Sequence, residues 1–217
     1  QNLLMAVTVF TILFGCSRAV KETHIKRRLA WSTVSNLSYI LFGVVLMTPL
    51  GLIGALLHMM CHAVMKICSF FCAGAVIYKT ERTYVHQLDG FGRKMPKVFI
   101  IFTIAALALM GVPGLSGFVS KWYLAKGAVA AGNPLAYAGL GALLVSALLT
   151  AIYMLTIVVR AFFPGKEFDY RTVADVADPG WMMILPLVVF VIVICLIGLY
   201  PQFLTDAVMN VAAEVFP

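Results

Sequence analysis

The sequence is poor in charge and lacks every motif of cofactor chemistry. Of its 217 residues, 12% are charged and 62% hydrophobic, and the mean hydropathy is +0.99. No soluble domain of this size needs that much apolar surface. The five cysteines (Cys16, Cys61, Cys68, Cys72 and Cys195) show no metal-site spacing and fall almost entirely in apolar stretches. They read as small buried hydrophobes, not as disulfides or metal ligands. There is no G-x-G-x-x-G after a strand, no cysteine cluster for iron–sulfur and no haem signature. The expectation is a chain with no cofactor and no metal, so any electron transfer belongs to partner subunits. No internal repeat is visible, and no linker marks a second soluble domain. The chain opens on Gln1 and is apolar by Leu3, without a basic n-region or a cleavage site. It is therefore not read as a signal peptide; a fragment, or a subunit whose start lies elsewhere, is the expectation.

What is present is long apolar runs. Runs of about 20 residues match the roughly 30 Å hydrocarbon core of a bilayer. They are continuous and do not alternate, which favours helices over a barrel. The fold class expected is an all-α integral membrane protein with about six transmembrane helices. They are helix A over 2–18, B over 31–49, C over 51–78, D over 98–129, E over 133–163 and F over 180–204. The net charge of +7 does not point to nucleic acid, because the basic residues sit in short loops. Arg18, Lys21, Lys26, Arg27 and Arg28 fall in the A–B loop, and Lys79, Arg82, Arg93, Lys94 and Lys97 in the C–D loop. The E–F loop holds Arg160, Lys166 and Arg171 beside Glu167, Asp169, Asp175 and Asp178. The B–C loop around Pro49-Leu50-Gly51 has none, and the D–E loop has Lys126 nearby. Under the positive-inside rule the A–B, C–D and E–F loops are cytoplasmic, with both termini on the opposite side. A prokaryotic inner membrane is the expected location.

Helix D is too long for one crossing. About 30 residues at about 1.5 Å each span roughly 45 Å. Its middle reads GVPGLSGF (111–118). Pro113 has no N–H to donate, and Gly111, Gly114 and Gly117 tolerate unusual backbone angles. The pattern predicts a helix broken mid-membrane around Gly111–Gly114, a habit of transporters. The plain alternative is a proline kink that packs without function.

Of the sixteen Lys and Arg, only Lys66 and Lys121 lie deep inside predicted spans. A cation at the bilayer centre costs about 2.5–3.5 kcal/mol on insertion scales. Lys66 ends the stretch HMMCHAVMK (58–66), in which His58, His62 and Lys66 recur every fourth residue. Steps of four rotate by about 40°, so the three share one helix face and rise about 12 Å. Such a ladder of titratable groups can pass protons along half a membrane. The bland reading is a set of buried side chains hydrogen-bonded to neighbouring helices. A zinc site is a further reading, but the metalloprotease form needs Glu beside the first His, and Met59 stands there. Helix B carries Ser32, Ser35, Asn36 and Tyr39 on one stripe, and helix E carries Ser146, Thr150 and Tyr153. Both stripes can line a wet path between the lysines or simply hold helices together.

IKRRLAWSTVSNLSY (25–39), HMMCHAVMKICSFFCAGAVIY (58–78), QLDGFGRKMP (87–96) and GVPGLSGFVSKWYL (111–124) together resemble one family. It is the antiporter-like membrane subunits of proton-pumping NADH:quinone oxidoreductase (complex I), with relatives in membrane-bound hydrogenases and Mrp-type multisubunit cation/proton antiporters. SKWYLAKGA looks closest to the Mrp D-type subunit. The resemblance implies two inverted five-helix repeats, each a half-channel with one broken helix. Helices A–E correspond to the second repeat. Residues 1–163 are then a five-helix half-channel, and 164–217 a connecting loop plus a C-terminal transmembrane helix. By position, His58, His62 and Lys66 match the family's histidine–histidine–lysine relay. Lys121 matches the residue after the break that exchanges protons with the outer face, where some members carry Glu. His24 departs from the usual Asp before the IKR loop, and the first repeat with its glutamate–lysine pair is absent from this chain.

The function expected is proton translocation, with sodium exchange left open, by a subunit or fragment of a larger ion-pumping complex. The relay residues are Lys66, His62, His58 and Lys121. The partners are other membrane subunits, including the missing first repeat, together with protons and the lipid bilayer. Two unit charges about 10 Å apart at an effective dielectric near 20 interact by about 1.7 kcal/mol, so occupancy at one lysine can expel a proton from the other. The competing readings are an inactive structural spacer and an intramembrane metal enzyme.

Overall fold

The computed structural model describes residues 1–165 and 168–216, and over these it is helical. Lys166 and Glu167, assigned above to the E–F loop, lie outside the described residues. The helices are α1 (Asn2–Lys21), α2 (Ile25–Val45), α3 (Pro49–Thr80), the short α4 (Phe91–Lys94), α5 (Pro96–Met110), α6 (Ser116–Ala131), α7 (Pro134–Phe162), α8 (Trp181–Leu199) and α9 (Gln202–Val215). Local signals start and stop them. Thr48 caps α3 by accepting the Gly51 N–H at 3.1 Å, with Pro49 in the first turn. Asn133 caps α7 by accepting the Ala136 N–H at 2.8 Å, again ahead of a proline. A first-turn proline costs no hydrogen bond, because that N–H has no helical partner.

The predicted break is present. α5 ends at Met110, Gly111 turns left-handed with φ 93°, and α6 begins at Ser116. At 15 and 16 residues, neither half is long enough to cross alone. By length and composition, α1, α3, α7 and α8 are each able to span a membrane. The missing candidate, α2, is diluted by the polar side chains it turns inward.

Three boundaries differ from the sequence reading by more than three residues, and helix A runs on to Lys21, so Arg18 and Lys21 form its last turn rather than a loop. Helix B starts at Ile25, not 31, so Lys26, Arg27 and Arg28 form its first turn rather than a loop. Tertiary pairing sets that start: Ile25 N–H donates to Thr83 O and Val85 N–H to Thr23 O, both at 2.9 Å. The same helix ends at Val45, short of 49. Helix F stops at Leu199, and Pro201 opens a separate helix, α9, that the apolar run gave no hint of.

α3 is the hub, packing against α2, α5, α6, α8 and α9, while α1 fills the angle between α2 and α7. Close approach needs small residues: a Cβ on Gly54 of α3 would sit 2.6 Å from the Leu124 backbone nitrogen of α6. Around the perimeter, Phe10, Phe71, Leu144, Leu148 and Leu185 face outward, as expected of a chain whose solvent is lipid.

The loops gather at two ends. At one end the His24–Tyr84 bridge ties the A–B loop to the C–D loop. There Arg160 grips Asp89 bidentately at 2.8 and 3.1 Å, and Arg82 donates to Thr172 O at 3.1 Å. Asp178 accepts the Lys97 and Val98 N–H groups at 3.2 and 3.3 Å, capping α5 from the E–F loop. At the other end Gln1 donates to Val45 O at 3.0 Å, and Thr48 to Gly127 O at 3.4 Å. The basic loops therefore share one end of the bundle, as their alternation required.

Candidate functional site

His58, His62 and Lys66 lie on the buried face of α3, with 0%, 4% and 5% of their surface exposed. Their four-residue spacing aims all three at the seam where α3 meets α2 and α6. Lys66 Nζ donates to Leu29 O at 3.0 Å and to Ser32 Oγ, both on α2. Ser32 Oγ in turn donates to Leu29 O at 2.9 Å. An ammonium can only donate, so a hydroxyl that accepts from it while donating onward is a fitting neighbour. The direct hydrogen-bond partners of Lys66 are thus neutral, and no carboxylate is among them.

Along α2 the polar chain continues. Asn36 donates to Ser32 O at 2.7 Å, and its side-chain oxygen meets His58 Nε2 at 3.3 Å. The other nitrogen, His58 Nδ1, meets Ser120 Oγ of α6 at 2.9 Å. His62 lies between His58 and Lys66. Its ring stacks on His58 at 5.8 Å with an interplanar angle of 24°, and neither of its nitrogens has a hydrogen-bond partner among the described residues.

Lys121 is placed by the helix break. Its Nζ folds back to donate to Leu109 O and Met110 O at 2.6 and 3.0 Å. These are terminal carbonyls of α5, left without intrahelical donors by the turn at Gly111. The negative end of the α5 dipole points at the same spot, so the break builds a cation site at depth. Gly111 also supplies the space, since a Cβ there would lie 3.0 Å from Lys121 Cδ. The Lys121 ammonium sits 5.7 Å from the Tyr39 ring centroid, and that ring is 5.2 Å from His58. Met110, Gly111, Phe118, Trp122 and Leu144 line a pocket of about 390 Å³, open to the perimeter, that reaches Lys121.

Lys66, Ser32, Asn36, His58 and Ser120 therefore form one buried polar run; His62 stacks beside it with no hydrogen bond among the described residues, and half-buried Lys121 approaches it across the Tyr39 ring. Two contributors were not foreseen. Ser120 bridges α6 to His58, and its only sequence signal is its position beside Lys121. Arg28, read as a loop residue, is buried and donates to Tyr153 O at 3.1 Å and Glu22 O at 2.7 Å. The helix E stripe has a bracing role: Ser146 meets Ser35 of α2 at 3.1 Å, and Tyr153 donates to Thr150 at 3.1 Å.

Comparison with known proteins identifies the family and the fold. The family model described as NADH:quinone oxidoreductase/Mrp antiporter, transmembrane region, matches residues 1–150. NADH-quinone oxidoreductase subunit N of Desulforudis audaxviator is 34% identical over 210 residues, covering 93% of this chain and 41% of that protein. Chloroplastic NAD(P)H-quinone oxidoreductase chain 4 of Marchantia polymorpha is 31% identical over 206 residues, covering 92% of this chain and 40% of its relative. The chain thus spans about two fifths of the length of these relatives. Among solved structures, the Mrp complex of a Dietzia species superposes with a TM-score of 0.85 at 26% identity, covering 98% of this chain and 46% of the other. Respiratory complex I from Thermus thermophilus gives a TM-score of 0.86 at 24% identity, covering 98% and 43%, a likeness of fold alone. With its broken helix, its apolar perimeter and a family match over more than half its length, this integral membrane chain belongs to the NADH:quinone oxidoreductase/Mrp antiporter transmembrane family.

Proposed function

We propose that the chain is a proton-translocating half-channel, working as one part of an antiporter-like subunit in a multisubunit membrane complex. The relay runs through Lys66, His62, His58 and Lys121. One observation carries this reading. The two lysines that are deepest in the predicted spans both turn inward; buried polar groups run by hydrogen bonds from Lys66 through Ser32 and Asn36 to His58 and Ser120, and the Tyr39 ring lies between His58 and Lys121. A bilayer penalises each such group unless it is used or fully paired, and His62 keeps both nitrogens uncommitted. Protonation of Lys121 raises the cost of protonating Lys66, because like charges on one membrane seam repel.

On this reading, residues 1–163 form the five-helix repeat, and 164–217 supply the connecting loop and α8, with α9 lying beyond. A second repeat bearing a glutamate–lysine pair supplies the other half of the path. The A–B, C–D and E–F loops face the cytoplasm of a prokaryotic cell. Sodium exchange is a property of the assembled complex, to be read from its ion dependence.

The test is proton transport by the assembled complex in vesicles. Lys66→Ala is expected to leave assembly intact and lower transport at least about tenfold, the factor that about 1.4 kcal/mol represents. Transport at the wild-type rate removes Lys66 from the mechanism.

A further inference from the structure

Asn36 lies where the polar face of α2 meets His58. Its amide nitrogen donates to Ser32 O at 2.7 Å. A carbonyl oxygen only accepts, so this bond orients the whole amide. The NH₂ group points back along α2, and Oδ1 turns to His58 Nε2 at 3.3 Å. Oδ1 also only accepts. Nε2 must therefore carry the hydrogen, and in a neutral imidazole that leaves Nδ1 bare.

The bare nitrogen faces Ser120 Oγ at 2.9 Å. Ser120 has a second acceptor within reach, Gly117 O at 3.2 Å. One hydroxyl rotor thus serves both states of the ring. With His58 neutral, Ser120 donates to Nδ1. With His58 protonated, Nδ1–H donates to Ser120, whose hydrogen turns to Gly117 O. His58 is fully buried, so bulk solvent does not compete for Nε2. Its other neighbours, the rings of Tyr39 at 5.2 Å and His62 at 5.8 Å, form no hydrogen bond that selects between the two nitrogens.

We infer that Asn36 is a positioning residue: it holds neutral His58 as the Nε2–H tautomer and so aims the basic nitrogen at α6, the helix that carries Lys121. The consequence for transport rests on the relay reading above, whereas the tautomer itself does not. A proton coming from the α6 side enters at Nδ1 without movement of the ring. One N–H bond forms there, and the donating group gives up one proton and one unit of charge. Onward transfer to His62 releases the Nε2 hydrogen and breaks the bond to Asn36. Oδ1 is then left facing a lone pair, which disfavours the Nδ1–H tautomer; the starting form is restored only when Nδ1 gives up a proton and Nε2 takes one up.

Solid-state NMR of the full-length protein in its assembled complex, with histidine-selective ¹⁵N labelling, reads this directly. His58 is assigned by difference against His58→Gln. At a pH where the ring is neutral, the wild type is expected to show a protonated Nε2 and a bare Nδ1. Asn36→Leu is expected to lose that bias, while Ser120→Ala keeps it because Asn36 is still in place. A wild-type ring protonated at Nδ1 overturns the inference without need of any variant. So does an Asn36→Leu ring that stays in the Nε2–H form, or a bias lost in Ser120→Ala but kept in Asn36→Leu. Transport is measured on the same preparations. If the tautomer follows Asn36 while Lys66→Ala transports at the wild-type rate, the inference stands and the relay reading fails.

Discussion

Lys66 and Lys121 are held by different means, and the difference has consequences. Lys66 is bound by the side of an unbroken helix, through a carbonyl and a hydroxyl of α2. Lys121 is bound by the end of a broken one, through carbonyls that exist as free acceptors only because α5 stops. The Lys121 position therefore tests whether a titratable group or a cation is needed. Lys121→Glu is expected to retain more proton transport than Lys121→Ala, measured in vesicles at matched expression. Equal loss in both would mean that the α5 carbonyls require a donor cation, since a carboxylate offers them none in its charged form. His62 tests the spacer alternative. Leu at His62 removes no protein hydrogen bond and keeps a side chain of similar bulk. It is expected to leave folding within about 1 kcal/mol of wild type and still to abolish transport. Normal transport in His62→Leu, together with Lys66→Leu, would favour the spacer.

The break is the element whose chemistry was most legible, because glycine and proline act through the backbone and need no partner to do so. Gly111 and Gly114 both have positive φ, 93° and 86°. Placing an L-residue there costs about 1–2 kcal/mol. They differ in surroundings: a Cβ on Gly111 meets Lys121, and one on Gly114 meets open space. Gly111→Ala and Gly114→Ala are thus expected to lower thermal stability by similar amounts, with only Gly111→Ala also lowering transport by shifting Lys121. Loss of transport in both would make the backbone, not the lysine, the sensitive part. The start of α2 was harder to read. Lys26-Arg27-Arg28 has the composition of a loop, and the reversal at Thr23–His24 is set by pairing with Thr83–Val85, about 60 residues away. Periodicity within one segment carries no trace of such a partner. α9 was hidden for a related reason: the apolar run of α8 continues in composition past Leu199, while Pro201 decides where the chain bends.

At the scale of the whole molecule, the alternation of basic and neutral loops has a structural counterpart in the two ends of the bundle. Cysteine labelling gives the orientation. His86→Cys, beside the basic loops, and Ala130→Cys, near the opposite end, both sit at exposed positions. The native cysteines compete little, four of the five being buried. In intact cells a membrane-impermeant thiol reagent is expected to modify Ala130→Cys and to reach His86→Cys only after the membrane is opened. The reverse pattern would invert the assigned orientation. The chain spans 41% and 40% of two relatives' length, and the proposed half-channel is expected to work beside a second glutamate- and lysine-bearing repeat, to be sought in the assembled complex.

By itself the sequence determined that the chain lives in a membrane, which loops share a side, where one helix breaks, and which four ionisable side chains are out of place in lipid. All of these follow from local composition and from the fixed geometry of a helix, which a single segment already contains. Only the tertiary structure decided that Lys121 turns back onto the α5 carbonyls, that Arg28 is buried, and that Asn36 and Ser120 hold the two nitrogens of His58. Those outcomes depend on which helix faces which, and side chains from α2, α3 and α6 acquire a shared chemistry only once packing brings them within hydrogen-bond reach.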